Sequence, residues 1–385
     1  YRLQTNSENN KDNKIMKKKI GILTFWNVPN YGAFLQAYAL QKLLETRYPE
    51  YDVRQIPYLN QKHYNVYYSN SIKQNYRYWL INPKYYRALL SGKGTNKDVE
   101  STKKFLAYYD MIPHFTNIAK ENIKDCTFDV LVLGSDIIWD FTVPFFGDDR
   151  YLFGVGINAR KKLSYAPAFG SVSEKNSVPD YVKTGLRELD AISVRDEKSA
   201  RIVEAISGKN AEVVLDPTLL WDFQSDLNIS KPTVSNYIVV YGSFFSEELV
   251  KGAKKYAEDN GLKLICLSSL DDRFEWCDEI INQDEMTPFE WVGYFKHASA
   301  VMTCTYHGLM FSIIFEKKII FNMTEFIYNK SESFIDGLGM KEVLLNDLDF
   351  NAKMNWNWDY SIIYSKLNQM KRDSIGFLDS AIEGE

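Results

Sequence analysis

Short apolar runs alternate with helical-period segments along this chain, and they do so twice over. In the first stretch, Lys19–Phe25, Asp52–Ile56, Phe128–Leu133, Lys162–Ala166, Ala191–Val194 and Val213–Leu215 read as strands. In the second, Tyr237–Tyr241, Leu262–Leu267, Ala300–Met302 and Lys318–Asn322 do. These runs are too short for helices and are bounded by turn formers. Helical segments lie between them. In Ala33–Leu44, Leu35, Tyr38, Ala39 and Leu43 share one face. Lys198–Ile206 and Asn329–Gly337 are further helices. Ser246–Asn260 stops at Gly261, and Thr287–Lys296 opens on Thr287-Pro288. Strands joined through helices can pair in parallel, because a parallel pair needs a long crossover. The expected fold is α/β, with two Rossmann-like parallel-sheet domains facing a cleft.

The expected boundaries follow the pattern. Residues 1–15 are polar and Asn-rich and read as a disordered lead or an expression remnant, with Met16 a candidate native start. Residues 16–222 form the first domain and 237–359 the second. The intervening stretch 223–236 has no apolar period and is rich in Ser, Asp, Asn and Pro, which suits a linker. Residues 360–385 read as a terminal helix packing back on the body.

Composition excludes some classes. With 46 Lys and Arg against 50 Asp and Glu, the net charge is −4, which does not suggest nucleic-acid binding. Cys126, Cys266, Cys277 and Cys304 form no C-x-x-C pair. They read as reduced thiols of a cytoplasmic protein, with no zinc site. No apolar run approaches the ~20 residues of a spanning helix.

The loops at strand ends carry the candidate chemistry. Ala300–Phe315 passes from strand to helix through Thr303, Thr305, Tyr306, His307 and Gly308. A helix start offers backbone N–H groups and a positive dipole end to an anion, and His307 adds a side chain that titrates near neutrality. A hydrogen-bonded structural histidine is the ordinary alternative. In the first domain the loop Trp26–Gly32 places Asn30, Tyr31 and Gly32 before a helix. Turn geometry alone would also explain Asn30 and Gly32. The dinucleotide fingerprint G-x-G-x-x-G is absent there. Gly134-Ser135-Asp136, with Trp139, follows a strong strand and reads either as a helix cap or as a ligand-facing turn. Arg195 stands at the tip of Ala191–Val194 beside a helix start, where it suits an anion or an ion pair with Asp196 or Glu197.

Between Gln61 and Lys97 there are seven Lys and Arg residues, many tyrosines and no Asp or Glu. Rings among cations suit an anionic membrane surface or sugar stacking; tyrosines packed on the core are the plainer reading.

Four separated motifs together resemble the polysaccharide pyruvyl transferase family. They are Gly21–Phe25 with Asn30-Tyr31-Gly32 and Leu35–Gln41; Gly134-Ser135-Asp136 with Ile138-Trp139; Ser193-Val194-Arg195-Asp196 with Asp216-Pro217-Thr218; and Thr303-x-Thr305-Tyr306-His307-Gly308 with Phe311-Ser312. The resemblance implies a GT-B-like fold. It implies transfer of the enolpyruvyl unit of phosphoenolpyruvate to two hydroxyls of one sugar, giving a cyclic ketal and phosphate. His307 would then be the proton donor or acceptor, and Asp136 a base or hydroxyl ligand. Arg195, Thr305, Gly308 and Lys330 would hold the donor, the last where many members carry Arg. Asn30, Tyr31, Gly32, Ser135 and Trp139 would face the acceptor. The resemblance further implies an oligosaccharide or lipid-linked acceptor, peripheral contact with the inner face of the cytoplasmic membrane, and no tightly bound cofactor. No metal-ligand cluster is visible, and a loosely held divalent ion stays open, as does the oligomeric state. A nucleotide-sugar glycosyltransferase and a non-catalytic binding protein are the alternatives on the same fold.

Overall fold

A computed structural model describes residues 17–68, 108–116, 122–173, 175–268, 272–323, 325–345 and 349–384. The expected lead 1–15 and most of the basic, Tyr-rich segment, residues 69–97, fall outside them.

The first half opens with β1 (Lys18–Leu23), α1 (Tyr31–Arg47), β2 (Tyr51–Gln55) and α2 (Gln61–Tyr68). It continues through β3 (Thr127–Leu133), β4 (Asn158–Ser164), α3 (Asp180–Glu188), β5 (Ala191–Val194), α4 (Glu197–Ser207) and β6 (Glu212–Val213). The second half holds β7 (Tyr237–Tyr241), α5 (Glu247–Asn260), β8 (Lys263–Ser268), β9 (Glu279–Asn282) and α6 (Pro288–His297). After these come β10 (Ala300–Thr303), α7 (Tyr306–Ile314), β11 (Lys318–Phe321), α8 (Glu325–Gly337), α9 (Lys341–Leu345), α10 (Phe350–Met354) and α11 (Tyr360–Glu383).

The strands form two sheets, ordered β2-β1-β3-β4-β5-β6 and β11-β10-β7-β8-β9. Every pairing is parallel. Past their first residues, the central strands β1, β3, β7 and β10 are mostly apolar and buried, as strands covered by helices on both faces must be. In each sheet the connection order reverses once, between β1 and β3 in the first and between β7 and β10 in the second. Such a reversal opens a crevice at the carboxyl ends of the strands, where doubly wound folds take ligands.

The halves pack through α1. Its residues Phe34, Leu35, Ala37, Tyr38 and Ala39 share one apolar cluster with Phe289 and Trp291 of α6 and Leu309 and Phe311 of α7. Phe34 and Tyr38 both meet Phe289 edge to face, at 6.4 and 5.1 Å. The segment after the first sheet is tied in as well: the Tyr38 hydroxyl and the Trp221 indole N–H both donate to Asp226, at 3.0 and 2.9 Å. Helix α11 then runs back across both halves. Its start, with Tyr360, Ile363 and Leu367, packs with the second half. Its end, with Phe377, Leu378, Ala381 and Ile382, packs on Ile20, Ile22, Val130 and Val132 of the first sheet.

Candidate functional site

The carboxyl edges of the two sheets meet, and the candidate residues gather where they do. Thr305 caps α7: its Oγ1 accepts from the Gly308 N–H at 3.0 Å. The cap starts the helix at Tyr306, so His307 sits in its first turn rather than in the loop ahead of it. That placement aims His307 at the first half. A Cβ added at Gly32 would lie 2.2 Å from His307 Nδ1, so only glycine fits at the start of α1 against this ring. His307 Nε2 lies 3.9 Å from Asp216 Oδ2, within ion-pair range and beyond a hydrogen bond.

Asp216 is the pivot. It follows β6, is fully buried, and accepts from the Thr218 N–H and hydroxyl through Oδ1. Its Oδ2 accepts from Arg195 Nη1 at 3.1 Å. Arg195 follows β5, the strand paired with β6, so the two side chains leave neighbouring strand ends. The partner of Arg195 is therefore Asp216 and not the adjacent Asp196 or Glu197. Asp196 instead caps α4 by accepting from the Ser199 N–H. The Arg195 guanidinium also lies over the Tyr306 ring at 4.2 Å. Its side chain is 3% exposed, and its Nε has no hydrogen-bond partner among the described residues.

The charges reinforce one another. Burial works against the Arg195 cation, yet Tyr306, Asp216, Asp136 and Asp196 hold its pKa above the usual value. Burial pushes the Tyr306 hydroxyl well up; Arg195 opposes this, and Asp216, Asp196 and Asp136 add to it. Asp136 is thus close enough for its charge to be felt at both groups. It stands half-exposed in a left-handed conformation (φ 73°), with Oδ1 accepting from the Ile137 N–H at 2.8 Å. Its loop is supported from beneath: Gln36 donates to Thr24, whose hydroxyl donates to the Ser135 carbonyl at 2.9 Å.

Several expected site residues do other work. Ser135 is fully buried and its hydroxyl donates to the Ala166 carbonyl, so it shapes the loop without facing a ligand. Trp139 is likewise buried, stacked on Phe153, with its indole N–H donating to the Leu152 carbonyl; it is a core residue and not an acceptor contact. The Gly308 N–H is spent on the Thr305 cap, so neither residue offers that group to an oxyanion. Gly308 is small because a Cβ there would lie 2.2 Å from Thr303 Oγ1. Asn30 is exposed and caps α1 through the Ala33 N–H. The Tyr31 hydroxyl donates to the Met286 carbonyl at 2.9 Å and also to that of Gln283, so it ties the two halves together. Lys330 lies within α8, and its side chain is outside the described ones. Asp216 and Tyr306 carry site geometry that reasoning from single residues did not assign to them. The available signals were their places in the Asp216-Pro217-Thr218 and Thr305-Tyr306-His307-Gly308 motifs.

Two Rossmann-like parallel-sheet domains with a site between their carboxyl edges define the GT-B-like class. Solved structures agree on this fold. A Listeria monocytogenes protein described as a UDP-N-acetylglucosamine 2-epimerase aligns with a TM-score of 0.54 over 96% of this chain and 98% of its own, at 10% identity. The S. aureus protein MnaA in complex with UDP aligns with a TM-score of 0.50 over 96% and 98%, at 11% identity. No curated protein matches the sequence significantly. The family model for polysaccharide pyruvyl transferase matches residues 30–321, well over half of the chain. The chain belongs to the polysaccharide pyruvyl transferase family. Among the described residues, no helix is long and apolar enough to cross a membrane.

Proposed function

We propose that this protein transfers the pyruvate unit of phosphoenolpyruvate to two hydroxyls of a sugar in a surface polysaccharide or its lipid-linked precursor. The product is a cyclic ketal, and inorganic phosphate leaves. One observation carries the reading: His307, Arg195, Asp216 and Asp136 converge from both sheets, giving one titratable ring beside a fixed cation.

The reaction needs those groups. The enol methylene takes a proton and becomes a methyl group, which leaves an oxocarbenium-like carbon. One sugar hydroxyl loses its proton and bonds to that carbon; the second then loses its proton and bonds there too, displacing phosphate, which carries a proton away. His307 serves the proton transfers, help worth ~100- to 10,000-fold in rate. Asp136 is the candidate base or ligand for the attacking hydroxyls. The unpartnered Nε of Arg195 suits a donor oxyanion, while Nη1 stays on Asp216. Asp216 and Tyr306 position Arg195 for that contact. In this reading Asn30 and Tyr31 would contact the acceptor, and Lys330 would contact the donor. Peripheral contact with the cytoplasmic face of the membrane fits a lipid-linked acceptor.

Thermal unfolding with millimolar phosphoenolpyruvate tests this. The unmodified chain should gain stability, since a ligand of the native state at ten times its Kd adds about 1.4 kcal/mol. Arg195→Lys should abolish the gain, because an ammonium lacks the bidentate fork. His307→Ala should keep the gain and lose phosphate release. Stabilisation by UDP-N-acetylglucosamine in place of phosphoenolpyruvate would move the protein to nucleotide-sugar transfer.

A further inference from the structure

The loop after β7 displays a phenylalanine where nothing in the fold needs one. Phe244 is 65% exposed. Single exposed apolar residues are ordinary, and Leu227 and Ile362 are exposed too. Those two lie on the inter-sheet connection and on α11. Phe244 instead stands at the reversal between β7 and β10, the crevice of the second sheet.

Its backbone is held from three sides. The Phe244 carbonyl accepts from Asn322 Nδ2 at 2.9 Å. Asn322 follows β11, two strands away from β7, so the loop must lean over the end of β10. The Ser243 N–H donates to Cys304 Sγ at 3.3 Å, and the Ser243 carbonyl accepts from Arg273 at 3.1 Å. Gly242 permits the close approach, since a Cβ there would lie 2.4 Å from Cys304 Sγ. The end of β10 leads through Cys304 and Thr305 directly to Tyr306 and His307. With the backbone that carries the ring already held, less freedom is lost when a ligand binds against it.

We infer that Phe244 is a stacking platform for the acceptor sugar, its ring against the C–H face of the hexose. This rests on the proposed ketal transfer. Phosphoenolpyruvate is small and anionic and has no ring for Phe244 to cover. Both sugar hydroxyls must reach the donor carbon beside His307, which brings the sugar to the same turn.

Saturation-transfer NMR with methyl galactoside and with N-acetylglucosamine tests the inference, using the unmodified chain, Phe244→Ala and Phe244→Trp in the presence of phosphoenolpyruvate. One of the sugars should bind the unmodified chain, with transfer strongest to its ring C–H protons. Phe244→Ala should weaken it roughly tenfold, the scale of one aromatic contact, and Phe244→Trp should restore it. The exposed position should leave Tm unchanged. Equal binding by Phe244→Ala, or binding of neither sugar to the unmodified chain, would overturn the inference. Thermal shift with phosphoenolpyruvate on the same samples separates the two readings. Sugar binding that depends on Phe244 without any donor stabilisation would defeat the ketal reaction and leave the platform standing.

Discussion

Helices α1 and α5 hold the same topological post: each follows the first strand of its sheet. Their surroundings differ. Eleven of the seventeen residues of α1 are buried, including Gln36 and Gln41, whereas α5 buries only Ala253 and Ala257. The reason is that α1 has two neighbours, its own sheet and the other half of the molecule, while α5 has one sheet and solvent. The loops ahead of them differ in the same sense. Helix α1 opens with a glycine pressed against His307; the loop before α5 holds out Phe244. One post has become the joint between the two halves, and the other has stayed at the surface.

Substitution separates the two posts. Phe34→Ala removes a fully buried ring from the joint and should cost about 3–5 kcal/mol in urea unfolding. Leu249→Ala on α5, only partly buried, should cost about 1 kcal/mol or less, and equal costs would erase the contrast. Gly32→Ala forces His307 aside and should slow turnover at least ~100-fold, about 2.7 kcal/mol of barrier, with a modest loss of Tm. Unchanged turnover would show that the joint does not set the position of His307. Gly261→Ala, just past the end of α5, meets nothing within 4 Å and offers no such coupling to the reaction.

The gentlest contrast is in pH. His63, at the start of α2, is packed among Phe25, Phe145 and Phe146, and burial pushes its pKa down to about 4. A depressed pKa means the unfolded chain binds the proton first. Stability from the neutral ring is full above about 6.5 and drains away as the pH falls towards 4. His63→Gln should flatten that part of the stability profile. An unchanged acid limb would place the loss elsewhere.

Much of this was legible in the sequence, and the exceptions have physical causes. Strands Ala191–Val194 and Tyr237–Tyr241 match their expected bounds, because apolar runs flanked by turn formers are unambiguous. Strand β9, Glu279–Asn282, was missed: it is an edge strand, half-exposed and partly polar, and carries no apolar run. Helix α7 starts three residues before the expected Leu309, since the cap is made by Thr305 and the first turn need not be apolar. In the candidate site, residue type and loop position point to His307, Arg195 and Asp136, and the structure brings His307 and Arg195 to the same carboxylate, Asp216. Asp216 was not singled out, because a pairing between side chains 21 residues apart depends on which strands become neighbours. Ser135 and Trp139 erred the other way. A residue in a ligand-facing loop can still point inward, and a serine hydroxyl is as useful to a buried carbonyl as to a sugar.

Helix α11 has a consequence for how the protein is made. The patch of the first sheet formed by Ile20, Ile22, Val130 and Val132 is covered by Phe377, Leu378, Ala381 and Ile382. During synthesis the first sheet emerges long before α11 does, and that apolar strip stays bare until the helix has followed it out of the ribosome. Strands made well ahead of α11 therefore wait for it, and a nascent chain released before that helix would carry an exposed sticky face of the kind that chaperones hold.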